Sequence, residues 1–286
     1  MWNILFVVMA VAALICLWVI IYDTHRFVVR EYAFRDSRIK KNFRAVVLAD
    51  LHNQKYGKNN EMLLDAIREA KPDLILVAGD LLTAKPKEKL DTALALLREL
   101  TAQYPVYYGN GNHEHRLKLY PDVYGDMAER YAEGLRKLGV RLLVNEHAKL
   151  PEYGVAIYGS EIDRFYYKRF GVKPMAGDYM ESILGKVDKS VYSILIAHNP
   201  DYFPKYAGWG ADLVLAGHVH GGMVRIPFWG RGVVSPNVRF FPKYDGGQFT
   251  ENGSVMLVSR GLGMHSIPIR LFNPGELLVL DFQAKV

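Results

Sequence analysis

DLILVAGD, at residues 73–80, is the stretch that decides the fold, because five apolar residues run without a break into Gly-Asp. A second stretch, RAVVLAD at 44–50, also ends in an aspartate. Short uninterrupted apolar runs indicate strands buried on both faces, as in parallel sheets. Between them, Leu63, Ile67 and Ala70 recur at helical spacing. The region is therefore predicted to form a strand–helix–strand unit.

The alternation of helices and strands continues along the first half of the chain. Leucines spaced three or four apart over 90–100 predict a helix, and residues 105–108 predict a strand. A further helix is predicted over 127–138, ended by Gly139. Helices that separate strands in this way favour a parallel sheet.

The second half is richer in strands, and the only helix predicted there covers 178–187. Strands are predicted at 154–160, 191–198, 212–218, 254–260 and 276–282, and an edge strand at 27–34. The sequence shows no internal repeat, low-complexity tract or long linker. We therefore expect an α/β fold of two packed, mixed β-sheets flanked by helices, in one domain over residues 23–286.

The N-terminus differs from the rest because residues 5–22 carry no charge, and Trp2 and Ile4 extend the run to membrane-spanning length. We predict a transmembrane anchor over residues 1–22. It is not expected to be cleaved, since no basic region precedes it; a buried core helix is the alternative. Seven basic residues follow it, namely Arg26, Arg30, Arg35, Arg38, Lys40, Lys41 and Arg44. The positive-inside rule then places the domain in the cytoplasm.

The amino-acid composition limits which partners and which metal ligands the chain can have. Half of the 286 residues are hydrophobic, which is enough for a full core, and the net charge of +6 favours anionic partners. The sole cysteine, Cys16, lies in the apolar N-terminal run. An intrachain disulfide and a thiolate metal cluster are thereby excluded, so any metal must be held by nitrogen and oxygen atoms.

Polar residues follow five of the predicted strands, at the point where each strand ends. They are Asp50 with His52, Asp80, Asn112 with His113, His198, and His218 with His220. Each motif alone is commonly a cap, a turn or a buried hydrogen bond. Because ligands gather outside the carboxyl ends of strands in α/β sheets, these groups are expected to converge. The remaining histidines, His25, His115, His147 and His265, are given no metal role.

In order and spacing, these five motifs resemble those of the calcineurin-like metallophosphoesterases, and the match spans nearly the whole predicted domain. The membrane-associated bacterial phosphodiesterase-type branch is the most similar. The resemblance implies a four-layer α/β/β/α sandwich. Two positions depart from the family pattern, Met223, where relatives often have Gln, and Thr83, where many have an acidic residue. Both are expected to affect substrate preference more than the metal centre.

The resemblance also implies two adjacent divalent metal ions bridged by Asp80. Asp50, His52 and His220 would bind the first ion, and Asn112, His198 and His218 the second. Imidazole, carboxylate and amide ligands suit manganese, iron or zinc, and we expect manganese. Val219 is expected to direct His218 and His220 to the same side of an extended backbone, one to each metal.

For the reaction, the resemblance implies attack by a metal-bridging hydroxide on phosphorus, without a covalent enzyme intermediate. His113 would neutralise the transition-state oxygens or protonate the leaving group. Its alternative role is to orient Asn112 or Asp50. Glu114 and His115 are expected to support the loop rather than react.

The substrate expected from these features has a phosphodiester or pyrophosphate bond, since a membrane-anchored enzyme meets lipid-linked phosphates. A nucleotide-linked lipid such as a UDP-diacylglucosamine-type precursor is one example. The basic stretch after the anchor would be attracted to anionic lipid, or would serve only as a topology signal. The alternatives are a phosphomonoesterase, a nuclease, or a non-catalytic membrane protein that binds an anionic ligand through its metals. Nucleic acid is not favoured, because no long basic and aromatic platform is present.

The sequence does not decide the role of two groups of aromatic residues. They are residues 165–167, Phe-Tyr-Tyr, and residues 228–229, Phe-Trp. Either could line an acyl or nucleobase pocket near the site, or form a lid or pack in the core; packing is favoured for both.

Overall fold

The computed structural model describes residues 2–168, 171–236, 238–264 and 268–285, so His265 lies outside the described residues. The helices are α1 (Trp2–Thr24), α2 (Glu61–Ala70), α3 (Asp91–Thr101), α4 (Asn112–Leu119), α5 (Pro121–Tyr124), α6 (Met127–Lys137), α7 (Tyr179–Leu184) and α8 (Phe203–Trp209).

The strands are β1 (Phe27–Asp36), β2 (Phe43–Leu48), β3 (Leu74–Ala78), β4 (Val106–Gly109), β5 (Arg141–Leu143), β6 (Glu146–Leu150), β7 (Val155–Ser160), β8 (Tyr192–Ala197), β9 (Leu213–Ala216), β10 (Val224–Arg225), β11 (Gly232–Val234), β12 (Gly247–Glu251), β13 (Ser254–Val258) and β14 (Gly275–Ala284).

The strands form two six-stranded mixed sheets and a small hairpin of β10 and β11. The first sheet has the order β1-β14-β2-β3-β4-β5, in which β2 to β5 are parallel and β14 runs antiparallel to β2. The second has the order β12-β13-β9-β8-β7-β6, with antiparallel strands at both edges. The predicted edge strand is confirmed, since β1 lies at one edge of the first sheet.

Each central strand is buried on both faces, which explains its unbroken apolar sequence. In β2, Val46 and Leu48 pack in the core beneath the helices of the first half, whereas Ala45 and Val47 pack between the two sheets. A third core joins the second sheet to α7 and α8. The layers are therefore helix, sheet, sheet and helix, as predicted.

The second half contains more elements than its sequence pattern indicates. Helix α7 ends at Leu184, three residues before the predicted limit, and α8 was not predicted. Gly208 lowers the intrinsic helix propensity of α8, whereas Pro204 lies in its first turn, where proline is tolerated. Its buried Phe203 and Tyr206 instead hold it against the sheet, so tertiary packing decides this helix.

Helix α1 is long and apolar enough to cross a bilayer. Its large apolar side chains are exposed, including Trp2 at 81% and Trp18 at 63%. The buried-core-helix alternative is therefore wrong. Only Val19, Asp23 and Thr24 are buried, so the last turn packs against the domain. The boundary between residues 22 and 23 stays a prediction.

Several basic side chains after α1 are engaged within the domain. Arg30 pairs with Glu276, at 2.5 Å, and Arg44 pairs with Asp281, at 2.7 Å. Arg38 likewise contacts Asp36 and Asp212. Because these charges are already paired, the basic stretch offers less attraction to an anionic leaflet than its sequence suggests.

Candidate metal centre

The predicted site residues all lie at the carboxyl ends of strands. In the first sheet, Asp50 and His52 follow β2, Asp80 follows β3, and Asn112 opens α4 just after β4. In the second sheet, His198 follows β8, and His218 and His220 follow β9. Since the two sheets pack face to face with these ends together, the topology brings side chains from distant sequence positions into one place.

Among the described residues, three groups of side chains have possible metal-ligand atoms within 4.8 Å of one another. The groups are Asp50, His52 and His220; His52, Asp80 and His113; and Asp80, His198 and His218. His52 belongs to the first two groups and Asp80 to the last two. The Asp80 carboxylate links both sides, since its Oδ2 lies 3.9 Å from His52 Nε2 and 3.1 Å from His198 Nε2. This central position is the one that a bridging carboxylate requires.

Main-chain amides orient both carboxylates. The His113 amide donates to Asp80 Oδ1 at 2.8 Å, and the His218 amide donates to Asp50 Oδ2 at 2.9 Å. Each aspartate is thus held by the backbone of a different motif, so the ligands are pre-positioned before any metal binds.

Glycines allow the close packing around these carboxylates. A Cβ at Gly111 would lie 2.2 Å from Asp80 Oδ1, and one at Gly217 would lie 2.3 Å from Asp50 Oδ2. At Gly79, a Cβ would lie 2.7 Å from His198 Nδ1, and φ is +87°. Side chains at these positions would displace the candidate ligands.

Two buried polar atoms indicate that the residues fit a metal. Asn112 Oδ1 has no hydrogen-bond partner among the described residues, and His198 Nε2 has the Asp80 carboxylate beside it, at 3.1 Å; leaving a buried polar atom unpaired is costly unless a ligand satisfies it. His198 Nδ1 lies 2.7 Å from the Ala78 carbonyl. That carbonyl can only accept, so Nδ1 carries a proton, and Nε2 would present its lone pair to a metal once its own proton has left.

His113 has the opposite arrangement. Its Nδ1 accepts from the Ala84 amide at 2.7 Å. The Nδ1 lone pair is thereby used, so Nε2 carries the hydrogen. A ring in this state is a hydrogen-bond donor at Nε2. It lies in one group with His52 and Asp80.

Glu114 supports the loop, as expected. Its Oε2 accepts from the amides of Asp80 and Gly111, both at 2.9 Å, and its Oε1 accepts from the Leu81 amide at 3.1 Å. The Tyr108 hydroxyl donates to it at 2.8 Å. Burial, followed by the nearby Asp80 charge, raises the pKa of Glu114 to about 7.

The turn that carries His218 and His220 differs from the prediction. It is not extended, because φ is 71° at His218 and 49° at His220, and Val219 between them is helical. The two rings still join different groups, His218 with Asp80 and His220 with Asp50. The His218 and His220 rings are therefore separated by a tight turn that ends in positive-φ glycines. They are not separated by the alternation of side chains along a strand.

Positive φ is common among the site residues. Asp50, His52 and Asp80 have φ of 49°, 48° and 55°. Such angles are uncommon for residues other than glycine and cluster where the surrounding structure imposes them. The strand-end turns are thus bent so that their side chains point into the site.

The charges of the cluster are mutually dependent. Burial raises the pKa of Asp50 to about 7, with His198 opposing the shift and Asp80 adding to it. Burial would lower the pKa of His198, but Asp80 and Asp50 raise it to about 10. Burial would also raise the pKa of Asp80, but His198 and His113 hold it well below its ordinary value. Without a metal, a proton on His198 thus balances the carboxylates.

The first aromatic group packs only in part. The Tyr167 ring is buried and lies 5.2 Å from the His218 ring, between centroids, whereas Phe165 is 41% exposed. Phe228 is fully exposed and Trp229 is 61% exposed, so the packing assignment is wrong for both. Both residues lie at the tip of the β10–β11 hairpin, and this tip does not reach a hydrophobic core.

The sequence reasoning missed two contacts around the ligands. Thr83 Oγ1 lies 3.3 Å from His52 Nδ1, so this departure from the family pattern bears on the metal centre directly. The Asn273 side chain is fully buried and donates to the His220 carbonyl at 2.8 Å. Only its place shortly after Pro-Ile-Arg, at 268–270, set Asn273 apart in the sequence.

Comparison with known proteins gives consistent results. The family model described as Calcineurin-like phosphoesterase matches residues 43–222. The chain is 27% identical to Uncharacterized metallophosphoesterase YkuE of Bacillus subtilis over 92% of this chain and 87% of the relative. It is 30% identical to Uncharacterized metallophosphoesterase Cj0846 of Campylobacter jejuni, over 86% of this chain and 61% of the relative. It is 25% identical to a Danio rerio protein named Transmembrane protein with metallophosphoesterase domain, over 82% of this chain and 52% of the relative.

Proposed function

This chain belongs to the calcineurin-like phosphoesterase family and is a metal-dependent phosphoester hydrolase, and from that premise we propose that it hydrolyses a phosphodiester or pyrophosphate bond in a membrane-associated substrate. The observation that carries the proposal is the position of Asp80, whose carboxylate lies between two groups of candidate ligands. A shared carboxylate is what a two-metal site requires.

The proposed ligands are those expected from the resemblance. Asp50, His52 and His220 would hold one ion, Asn112, His198 and His218 the other, and Asp80 both. Two divalent ions, in our proposal manganese, would activate water and neutralise charge on the phosphoryl oxygens. The unpartnered Asn112 Oδ1 and the position of His198 Nε2, 3.1 Å from Asp80, support this ligand set.

His113 is the proposed catalytic residue. The Ala84 amide donates to its Nδ1 at 2.7 Å and so fixes the ring with a hydrogen on Nε2. That hydrogen would stabilise a phosphoryl oxygen or pass to the departing oxygen. The ring lies 4.8 Å from that of His52, between centroids, which is close enough to reach a substrate bound by the ligands.

The proposed location of the substrate follows from the end of α1. The Asp23 carboxylate accepts from the Asn273 amide at 2.9 Å, and the Asn273 side chain donates to the carbonyl of His220. Two hydrogen bonds thus join the apolar helix to a candidate ligand. If α1 spans the bilayer, the site lies beside the membrane surface, where lipid-linked or nucleotide-linked phosphates would reach it.

The orientation that we propose places the domain in the cytoplasm, because the basic residues follow the apolar helix. A reporter fused to the C-terminus tests this directly. Activity of a cytoplasmic reporter would support the orientation, and activity of a reporter that functions only after export would contradict it.

The reaction class is tested with the full chain in detergent. The metal-free protein is supplied with manganese, iron or zinc and assayed on bis(p-nitrophenyl) phosphate and on p-nitrophenyl phosphate. We expect turnover of the diester to exceed that of the monoester. Preference for the monoester would indicate a phosphomonoesterase, and a folded, metal-loaded protein without turnover would indicate a binding role.

The substrate is sought in a bacterial lipid extract. Wild type and His113→Ala are incubated with the extract, and phosphorus-containing lipids are compared by mass spectrometry. A species lost only with the wild type is the expected result. If no lipid changes while the soluble diester is hydrolysed, the lipid-linked substrate is wrong and the phosphodiesterase assignment stands.

A further inference from the structure

An exposed apolar surface lies beside the metal centre. It comprises the segment 226–241, here called the aromatic loop, of which all but Asn237 is described. Phe228 is fully exposed, and Trp229, Phe240 and Phe241 are 61%, 69% and 49% exposed. The rings of Trp229 and Phe241 lie 6.1 Å apart. Clustered exposed aromatics of this kind mark an interaction surface.

A buried arginine, Arg225, holds the aromatic loop in place. Arg225 is 5% exposed and donates to the carbonyls of Gly221, at 2.8 Å, and Asp245, at 3.1 Å. It also donates to the Gly230 carbonyl, and Ile226 donates to the Arg231 carbonyl at 3.1 Å. The tip with Phe228 and Trp229 is thus presented by an ordered hairpin that begins at Val224, four residues after His220.

The loop is also connected to the end of the apolar helix. The Arg225 amide donates to the Leu271 carbonyl at 2.9 Å. Two residues later, the Asn273 amide donates to Asp23 in the last turn of α1. Phe272, between them, is 37% exposed. The aromatic loop and the helix end therefore share one short segment of backbone.

The rings of the loop, more than its charges, suit a phospholipid surface. From residue 226 to 244 the chain has three basic residues and no acidic residue, but Arg231 pairs with Asp245 at 3.5 Å and Arg239 pairs with Asp201. Aromatic rings at the level of the headgroups with basic side chains around them are typical of membrane-interface segments. A water-soluble protein partner would not explain why this surface adjoins the apolar helix.

We propose that the aromatic loop inserts into the membrane interface beside α1, as a second membrane contact that holds the metal centre against the bilayer. The partner that this surface contacts is the phospholipid interface. This inference rests on the proposed function for its consequence, which is that an ester embedded in the bilayer reaches the site directly. The insertion itself depends only on the surface and on α1.

Insertion is tested by spin labelling of the full chain in nanodiscs of phosphatidylethanolamine and phosphatidylglycerol. In a Cys16→Ala background, nitroxide is placed at Phe228→Cys and, separately, at Phe240→Cys. The control is Val123→Cys, since Val123 is a 51% exposed apolar residue on α5, which packs on α6 near the β5 edge of the first sheet. Power saturation compares access of oxygen and of a water-soluble nickel chelate.

We expect oxygen access to exceed nickel access at 228 and 240, and the reverse at 123. Equal behaviour at all three positions would show that the loop lies in water and would overturn the proposal. Exclusion of both reagents at 228 and 240 would indicate a contact between protein chains, which also overturns it.

The functional consequence is tested with two esters that share a leaving group. Hexadecyl p-nitrophenyl phosphate is embedded in the nanodisc, and ethyl p-nitrophenyl phosphate is soluble. For the double variant Phe228→Ser with Trp229→Ser, we expect hydrolysis of the embedded ester to fall about tenfold or more, with that of the soluble ester within about twofold of wild type.

Equal hydrolysis of the embedded ester by both proteins would overturn the role of the loop in substrate access. If wild type hydrolyses neither ester, the proposed function fails instead, and the spin-label result still decides the membrane contact.

Discussion

His198 and His113 differ in what the backbone contact at Nδ1 leaves on the other ring nitrogen, Nε2. The Ala78 carbonyl accepts from His198 Nδ1, whereas the Ala84 amide donates to His113 Nδ1. One contact leaves a lone pair at Nε2 and the other leaves a hydrogen. The residue type alone therefore does not show whether a histidine is a metal ligand or a proton donor. The hydrogen-bond partner of its Nδ1 atom decides this.

His113→Ala is expected to lower kcat by about 10²–10⁴, because a positioned proton donor is lost. The metal content should be unchanged, since Nε2 of His113 carries a hydrogen rather than a ligand lone pair. Turnover of the diester and elemental analysis of the purified protein measure the two quantities.

His115→Ala is the matched control for this variant. Its ring lies one residue beyond Glu114 and faces Glu161, at 3.8 Å, away from the ligand groups. Its kcat should stay within a few-fold of wild type. A loss of metal in His113→Ala would contradict the catalytic assignment and make His113 a ligand.

Metal binding is expected to release protons near pH 7. The pKa of His198 is raised to about 10, after Asp80 and Asp50 outweigh burial, and that of Asp50 is raised to about 7 by burial. The metal-free site thus holds protons that bound metal displaces. Apparent affinity should rise with pH between 6 and 8. Calorimetry in buffers of different ionisation enthalpy measures the release; identical heats in all buffers would contradict it.

At the scale of single elements, the strand-end turns determine the site. Gly217 follows β9, and a Cβ there would lie 2.3 Å from Asp50 Oδ2. Its φ is not positive, so substitution by alanine strains the ligand and not the backbone. We expect Gly217→Ala to weaken metal binding by about 10–100-fold, a range typical of changes that misplace a ligand. Isothermal titration with manganese measures it.

Gly208→Ala is the control for the glycine prediction. Gly208 lies within α8, and a Cβ there has open space. Replacing a helical glycine should stabilise the fold by about 0.5–1 kcal/mol and leave metal affinity unchanged. Wild-type affinity in Gly217→Ala would show that Asp50 can move away without loss.

At the scale of the whole molecule, the apolar helix and the metal centre are joined through the buried Asn273. Asp23→Ala in the full chain leaves the Asn273 amide without its carboxylate acceptor. The expected destabilisation is about 1–3 kcal/mol, the usual cost of a buried donor left unpaired. Metal affinity should also fall, because Asn273 positions the His220 carbonyl.

Thermal unfolding in detergent and manganese titration check both effects. Asp65→Ala is the control, since Asp65 is an exposed carboxylate paired only with Arg68 on the same helix. Equal unfolding temperatures and equal manganese affinities in Asp23→Ala and Asp65→Ala would show that the end of α1 does not support the metal centre.

The sequence by itself determined the layers of this protein and the identity of its candidate ligands. Unbroken apolar runs such as 74–78 predicted strands buried on both faces, and the polar residues that end them predicted one shared edge. These features are local, because strand burial and chain order follow from spacing. The same local pattern predicted α1, which needs no partner within the domain to be helical.

The tertiary structure alone decided how each side chain is oriented. The tight turn at His218 and His220, the exposure of Phe228 and the contact of Asn273 with His220 depend on segments far apart in the chain. Hydrogen bonds between residues separated by 29 to 168 positions, such as Ala84 to His113 and His218 to Asp50, choose the ring state and the carboxylate rotamer. Spacing along one chain carries no information about such partners, since they meet only when strands distant in sequence lie side by side or the two sheets pack.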